Sequence, residues 1–385
     1  MAGRKIKFFR KDLDMKFLII NTDYPKFSHW LYAQHSGLEK QSYEQQYRIR
    51  MDGLFGTADF FSSNLKKLGY DAWDVIANSE PMQKQWGREH GVSSEKDRWR
   101  LRLRRGFVPW LYREDNKTWL YSILAEQVKA YKPDVIYSMA METIGDEFLQ
   151  SVKGYYRLAV VQHAAPLSSC GLSEYDLALS SLPNQVDYFR GQGMRAEQFR
   201  LGFESRILKS LSPTNKPFDI VFVGGLGKYH RQGVCTLEEL SKKYHVGVWG
   251  YGIEGLSKAS PIHHVFHGSI WGLDMYQVLH NAKLVFNRHL DISGDFANNM
   301  RLYETTGVGS LLLTDEKKNL SEIFSPGREV ITYRNMEECL ELAGYYLMHE
   351  NEREAVARAG QERTLREHTW YHRMQELIDI VERYL

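Results

Sequence analysis

Short apolar runs alternate along this chain with stretches of helical periodicity, and no other feature restricts the fold as strongly. Lys16-Phe17-Leu18-Ile19-Ile20-Asn21 is the first, ending in the turn-like Thr22-Asp23-Tyr24-Pro25. Runs at 71–76, 133–138, 157–163 and 175–180 follow, with helical patterns over 43–68 (interrupted by Gly53 and Gly56) and 120–131. A strand that is apolar throughout, rather than at every second position, must be covered on both faces. Such strands separated by helices predict an α/β architecture with a parallel sheet.

The segment Ser210-Leu211-Ser212-Pro213-Thr214-Asn215-Lys216-Pro217 reads as a linker, after which the alternation restarts. Strands are expected at 218–223, 246–249, 264–267, 284–287, 311–315 and 328–333, with helices at 236–244 and 275–281 and a helical tail over 336–385. Two doubly wound halves joined by a linker would place a ligand in the cleft between them. The expected organisation is a basic tail at 1–15, one Rossmann-like unit at 16–209, the linker at 210–217 and a second unit at 218–363. A terminal helix over 364–385 completes it. The 385 residues suffice for two cores.

Two motifs in the second half carry chemistry. In Asp219-Ile220-Val221-Phe222-Val223-Gly224-Gly225, glycines at a strand end let backbone N–H groups approach a diphosphate, with Lys228, His230 and Arg231 close behind to offset its charge. In Asn298-Asn299-Met300-Arg301-Leu302-Tyr303-Glu304-Thr305-Thr306-Gly307-Val308-Gly309, Asn is a preferred N-cap and Gly a common stop. Arg301 and Glu304, three apart, share one helix face. A free helix start, an Arg and a carboxylate one turn on suit a ligand with a phosphate end and a hydroxylated end. Read blandly, the same pair is a surface ion pair worth about 0.3–0.5 kcal/mol.

From Asn299 to Glu304 and on through Gly309-Ser310-Leu311-Leu312-Leu313-Thr314-Asp315, the chain resembles CgeB-type and related GT-B glycosyltransferases. The runs Leu320–Val330 and Tyr333–Glu338, and the tail residues 359–363 and 368–373, continue the likeness over roughly the last 170 residues. The resemblance implies two Rossmann-like domains facing across a cleft, the second holding a nucleoside-diphosphate sugar and the first an acceptor hydroxyl. The acceptor would be a glycan, a lipid-linked molecule or a small natural product. It also implies that Glu304 binds the donor ribose. Gly224, Gly225, Lys228, Arg231, Asn298, Asn299 and Arg301 would surround the diphosphate. The terminal helix would cross back to the first unit. A nucleotide-sugar epimerase and a catalytically silent sugar-nucleotide or glycan-binding protein are the alternatives on this fold. One departure stands out: a sugar-contacting Glu, which many retaining relatives carry eight residues before the ribose Glu, is Phe296 here, with Asp295 adjacent.

In the first half, His163 ends an apolar run and by analogy would face the donor sugar. Asp23 and Glu142 lie at equivalent strand ends, where a general base could deprotonate an acceptor. The chemistry calls for no cofactor beyond the nucleotide sugar. Without an Asp-x-Asp loop, no metal site is expected, and the leaving group falls to cations and helix N–H groups.

Fifty basic against 48 acidic residues leave a net charge of +2, which does not predict nucleic-acid binding. Locally, residues 96–112 mix arginines with Trp99, Phe107, Trp110 and Tyr112, a pattern that can meet an anionic membrane surface, a lipid-linked acceptor or a nucleic acid; the bland reading is a solvated helix or loop. Three scattered cysteines, Cys170, Cys235 and Cys339, suit a reducing compartment. No apolar run approaches bilayer-spanning length, so the expected location is the cytoplasm, with peripheral contact at the inner face of the membrane.

Overall fold

The computed structural model describes residues 15–92, 99–104, 108–113, 118–165, 171–227, 231–290 and 293–385, with only the backbone for 99–104, 108–113, Thr118 and Arg231. The strands are β1 (Lys16–Asn21), β2 (Asp71–Ile76), β3 (Trp99–Arg104), β4 (Val108–Arg113), β5 (Val135–Ser138), β6 (Leu158–Gln162), β7 (Leu177–Ser180), β8 (Ala196–Gln198), β9 (Phe218–Gly225), β10 (Val246–Tyr251), β11 (Ala282–Asn287), β12 (Leu311–Asp315) and β13 (Ile331–Tyr333).

Two parallel sheets result. The first runs β2-β1-β5-β6-β7-β8 and the second β10-β9-β11-β12-β13. The apolar runs explain the burial: Phe17, Leu18, Ile19 and Ile20 are fully buried, as are Leu284, Val285, Leu311 and Leu312, because helices cover both faces of each sheet. In each sheet the order reverses beside the first strand, between β1 and β5 and between β9 and β11. Ligands of open α/β sheets bind at the carboxyl ends of the strands at such a reversal. The fold is therefore the expected pair of doubly wound units.

The tail differs from one helix. It forms Met336–Met348, Glu350–Glu367 and Trp370–Val381. Thr369, as N-cap of the last, accepts from the His372 N–H and starts a new direction. Thr364 still belongs to the middle helix, where its hydroxyl meets that of Thr306 at 2.6 Å. The chain turns at His368–Thr369. There Phe203 N–H donates to His368 O and Trp370 N–H to Phe203 O, both at 2.9 Å. The Trp370 ring then packs against Phe61 (centroids 4.9 Å apart), and the Tyr70 hydroxyl reaches Glu382 at 3.3 Å. Phe17, Phe61, Phe203, Val221 and Trp370 share one apolar cluster that runs through both units.

A second aromatic contact joins the two units. Phe55 packs against Phe27 with ring centroids 4.2 Å apart and planes tilted by 33°, and meets Trp271 edge-on at 4.9 Å. Gly272, with φ +55°, follows Trp271, and a Cβ there would run into the Gly53 carbonyl. The linker is held to the second unit, with Lys216 Nζ 3.1 Å from Gly309 O and Ser212 N–H donating to Gln277 Oε1 at 2.8 Å.

Two local expectations are corrected. The strand expected at 264–267 is a helical turn, Ile262–Val265, started by Pro261 at φ −62°, ψ −19°; only Phe266 bridges to β10, at Val248. The basic, aromatic stretch, expected as a helix or loop, contains an antiparallel hairpin, β3–β4. Its period-2 alternation of Arg with Trp and Leu is a strand pattern, obscured in the sequence by the density of charge.

Candidate active site in the interdomain cleft

The carboxyl ends of β9 and β11 bring the second-half motifs together. Gly224 and Gly225 are the last two residues of β9 rather than a turn beyond it. They pair with Gly250 and Tyr251 of β10. Gly250 has φ +142°, and a Cβ there would collide with the Gly224 carbonyl, so this strand-end approach requires glycine.

The helix Met300–Gly307 starts at the same edge. Asn299 is its N-cap: Oδ1 accepts from the Leu302 N–H at 3.2 Å, and Nδ2 donates to Asn287 Oδ1, at the end of β11, at 2.9 Å. Both ends of the Asn299 amide are thus engaged in placing the helix. Asn298 beside it is half-buried.

The Arg301–Glu304 pair is not a surface pair. Nη1 lies 2.7 Å from Glu304 Oε2, with the side chains 14% and 6% exposed. Arg301 Nη2 also donates to the Val223 carbonyl on β9 at 3.1 Å, and its Nε is buried without a partner. Glu304 Oε1 is 3.5 Å from the Tyr276 hydroxyl. Burial, followed by the charge of Glu304, pushes the Tyr276 phenol well above its ordinary range, so it stays a donor. Arg301 therefore ties the helix to the Gly-bearing strand, a structural link that sequence spacing alone does not reveal.

Lys228 lies outside the described residues. Arg231 opens the helix Arg231–Lys243, which follows the glycine strand.

Sequence reasoning missed a pair at the same edge. His289, two residues beyond β11, donates from Nδ1 (2.7 Å) and from its backbone N–H (3.0 Å) to Asp315 Oδ1 at the end of β12. Burial would raise the Asp315 carboxyl, but the His289 hydrogen bond and charge, with Lys317 at 3.3 Å, outweigh it and hold it down to about 2. His289 Nε2 is buried and unpartnered. The available signal was position: like His163, His289 closes an apolar strand. Asp295, the suggested substitute for the absent Glu, is exposed and paired with Lys318 at 2.6 Å.

On the facing unit, Asp23 follows β1 and is buried. Arg50 grips it through Nε–Oδ2 at 2.7 Å and Nη2–Oδ1 at 2.5 Å, while the guanidinium lies 4.9 Å from the Phe27 ring centroid. Both carboxylate oxygens are bound, which suits an anchor for the aromatic bridge better than a proton acceptor. His163 stands directly after β6, its N–H bonded to Leu179 O at 2.9 Å. Glu142 is exposed in the turn after β5. All three sit at the carboxyl edge of the first sheet, separate from the second-half cluster in sequence and on the opposite unit.

Residues 231–379 match a family model described as glycosyl transferase-like. The chain has the GT-B fold. No curated protein matches it in sequence. Among solved structures, the chain is similar to Anabaena HepE in complex with UDP-glucose, at 12% identity and TM-score 0.59 over 96% of this chain and 100% of that one. It is also similar to AviGT4, a glycosyltransferase involved in avilamycin A biosynthesis (11%, TM-score 0.57, 96% and 98% covered). A third is the pneumococcal O-GlcNAc transferase GtfA with UDP and GlcNAc (10%, TM-score 0.53, 96% and 99% covered). At these identities the structures speak for the fold.

Proposed function

We propose that this chain is a glycosyltransferase, moving a sugar from a nucleoside-diphosphate sugar, held by residues 218–363, to a hydroxyl acceptor on residues 16–209. The carrying observation is the convergence of a glycine strand end and a capped helix start at the strand-order reversal of the second sheet, tied by Arg301 to the Val223 carbonyl. The glycosyl transferase-like match over 231–379 and the UDP-containing complexes of similarly folded proteins support a nucleotide-sugar donor.

In this reading the backbone N–H groups of Gly224, Gly225 and the helix start at Asn299 face the diphosphate, with Lys228 and Arg231 adding charge. Asn298 offers its amide to the donor. Glu304 accepts from the ribose hydroxyls, with Arg301 holding its carboxylate in place. As the sugar leaves, negative charge grows on the diphosphate, and these oriented dipoles and cations stabilise it without a metal. His163 faces the sugar from the other unit, and Glu142, exposed at its strand end, is a candidate for the acceptor base. We place the reaction in the cytoplasm, with the 96–112 segment in contact with a membrane or a lipid-linked acceptor. Among the described residues no helix is long and apolar enough to cross a membrane.

The test is a panel of nucleotide sugars incubated with the full chain and candidate acceptors. Acceptor-dependent release of nucleoside diphosphate supports the transferase. Donor isomerisation without acceptor would replace it with the epimerase, and tight donor binding with no turnover would replace it with the binding protein.

A further inference from the structure

The hairpin β3–β4 belongs to neither large sheet: among the described residues its two strands pair only with each other. A two-stranded hairpin alone is marginally stable in water and needs a surface to pack on. Its register shows what kind. Trp99 pairs with Arg113, Leu101 with Leu111 and Leu103 with Pro109, which places these residues on one face. Arg100 pairs with Tyr112, Arg102 with Trp110 and Arg104 with Val108, which places three arginines and two amphipathic aromatics together on the other.

Charge selects the occupant. The twelve strand residues hold four arginines and no acid. Without them the chain has 46 basic against 48 acidic residues, so the positive charge belongs to the hairpin and not to the molecule as a whole. Arginines sharing a face with Trp and Tyr, with a face apolar but for Arg113 behind, match the interface of an anionic bilayer, where aromatics take the headgroup level and arginines meet phosphates. Location agrees. The helix Thr118–Tyr131 runs back down the sheet before β5, so the chain leaves the hairpin to start that helix at the carboxyl edge of the first sheet, the acceptor side of the cleft.

We infer that the β3–β4 hairpin docks the protein onto an anionic phospholipid surface through the face carrying Arg100, Arg102, Arg104, Trp110 and Tyr112. This deepens the membrane contact suggested under the transferase reading but does not need the chemistry of that reading. The test is co-sedimentation of the full chain with vesicles of phosphatidylcholine alone or mixed with phosphatidylglycerol, across a salt series. Binding is expected only with phosphatidylglycerol and should weaken as salt rises. The triple variant R100Q/R102Q/R104Q should lose roughly a hundred-fold in partitioning, about five-fold per arginine. R100K/R102K/R104K, which keeps the charge, should retain most of it. Equal binding to both vesicle types, salt-insensitive binding, or wild-type partitioning by the glutamine variant would each overturn the inference, as would binding to heparin without binding to phosphatidylglycerol. UDP titration of the same preparations bears on the transferase reading alone, so the two can fail separately.

Discussion

Asp74 sits on β2 under the helix Phe60–Lys67, fully buried, with Oδ2 lacking a hydrogen-bond partner. Burial raises its carboxyl to about 7; Ser62 opposes the shift, nearby Asp59 adds to it and Lys66 offsets it. A carboxyl whose folded pKa exceeds its unfolded value of 3.8 favours the fold fully below pH 3.8 and loses that contribution as pH rises through 7. The gap of roughly three pH units corresponds to about 4 kcal/mol lost by the time the group is ionised in both states. Asp74→Asn keeps the shape and cannot ionise, so it should match the wild type in acid and exceed it in base. Because the unfolded wild-type chain has already released most of this proton by about pH 5, the variant's advantage should grow by about 3 kcal/mol between pH 5 and pH 8. Urea unfolding followed by tryptophan fluorescence at several pH values measures that difference directly, and other titrating groups cancel in the comparison. A difference that stays constant with pH would refute the reasoning, because it would mean that the Asp74 environment does not penalise its charge.

Other perturbations have directions set by the same geometry. His368 donates from Nε2 to the Ile323 carbonyl at 2.8 Å, and burial depresses it to about 4, so its contribution is present above pH 6.5 and fades as pH falls through 4. His368→Gln should flatten the acid limb of the stability profile by about 3 kcal/mol, as read by denaturant titration. Glu304→Ala leaves Arg301 charged and buried. The cost should be about 3–5 kcal/mol, with nucleotide affinity falling in calorimetry; unchanged affinity would remove Glu304 from the donor site. Arg50→Ala should destabilise by a similar amount through the stranded Asp23 carboxylate, and most of that should be recovered in the Asp23→Asn/Arg50→Ala double variant. Gly250→Ala forces a Cβ against the Gly224 carbonyl at a φ of +142°, so the strand-end approach should open and donor binding should fall more than global stability.

Most of the sheet architecture was readable because buried parallel strands have little freedom of composition. A run such as Leu284-Val285-Phe286 between helical patterns has few other uses. The cap at Asn299 was readable for a similar reason, since capping depends on residues three apart. The site was less so. Arg301 and Glu304 were visible as neighbours on a helix face, but their burial, and the Val223 carbonyl and Tyr276 hydroxyl that complete the cluster, depend on elements 28 or more residues away. His289 and Asp315, 26 residues apart, meet only because β11 and β12 are adjacent. Asp23 looked like a base candidate from its strand-end position, and its bidentate grip by Arg50 follows from a helix the strand does not specify.

Local pattern by itself therefore determined most strands of the two large sheets, the helix cap and the doubly wound halves, since these rest on periodicity and on hydrogen bonds between near neighbours. Tertiary structure alone decided which charges are buried and by whom they are held. It also decided how Trp370 and Trp271 join the two units, and that the arginine-rich segment folds as a hairpin outside both sheets. Those outcomes depend on desolvation and on contacts between distant segments, and neither quantity exists until the chain has packed.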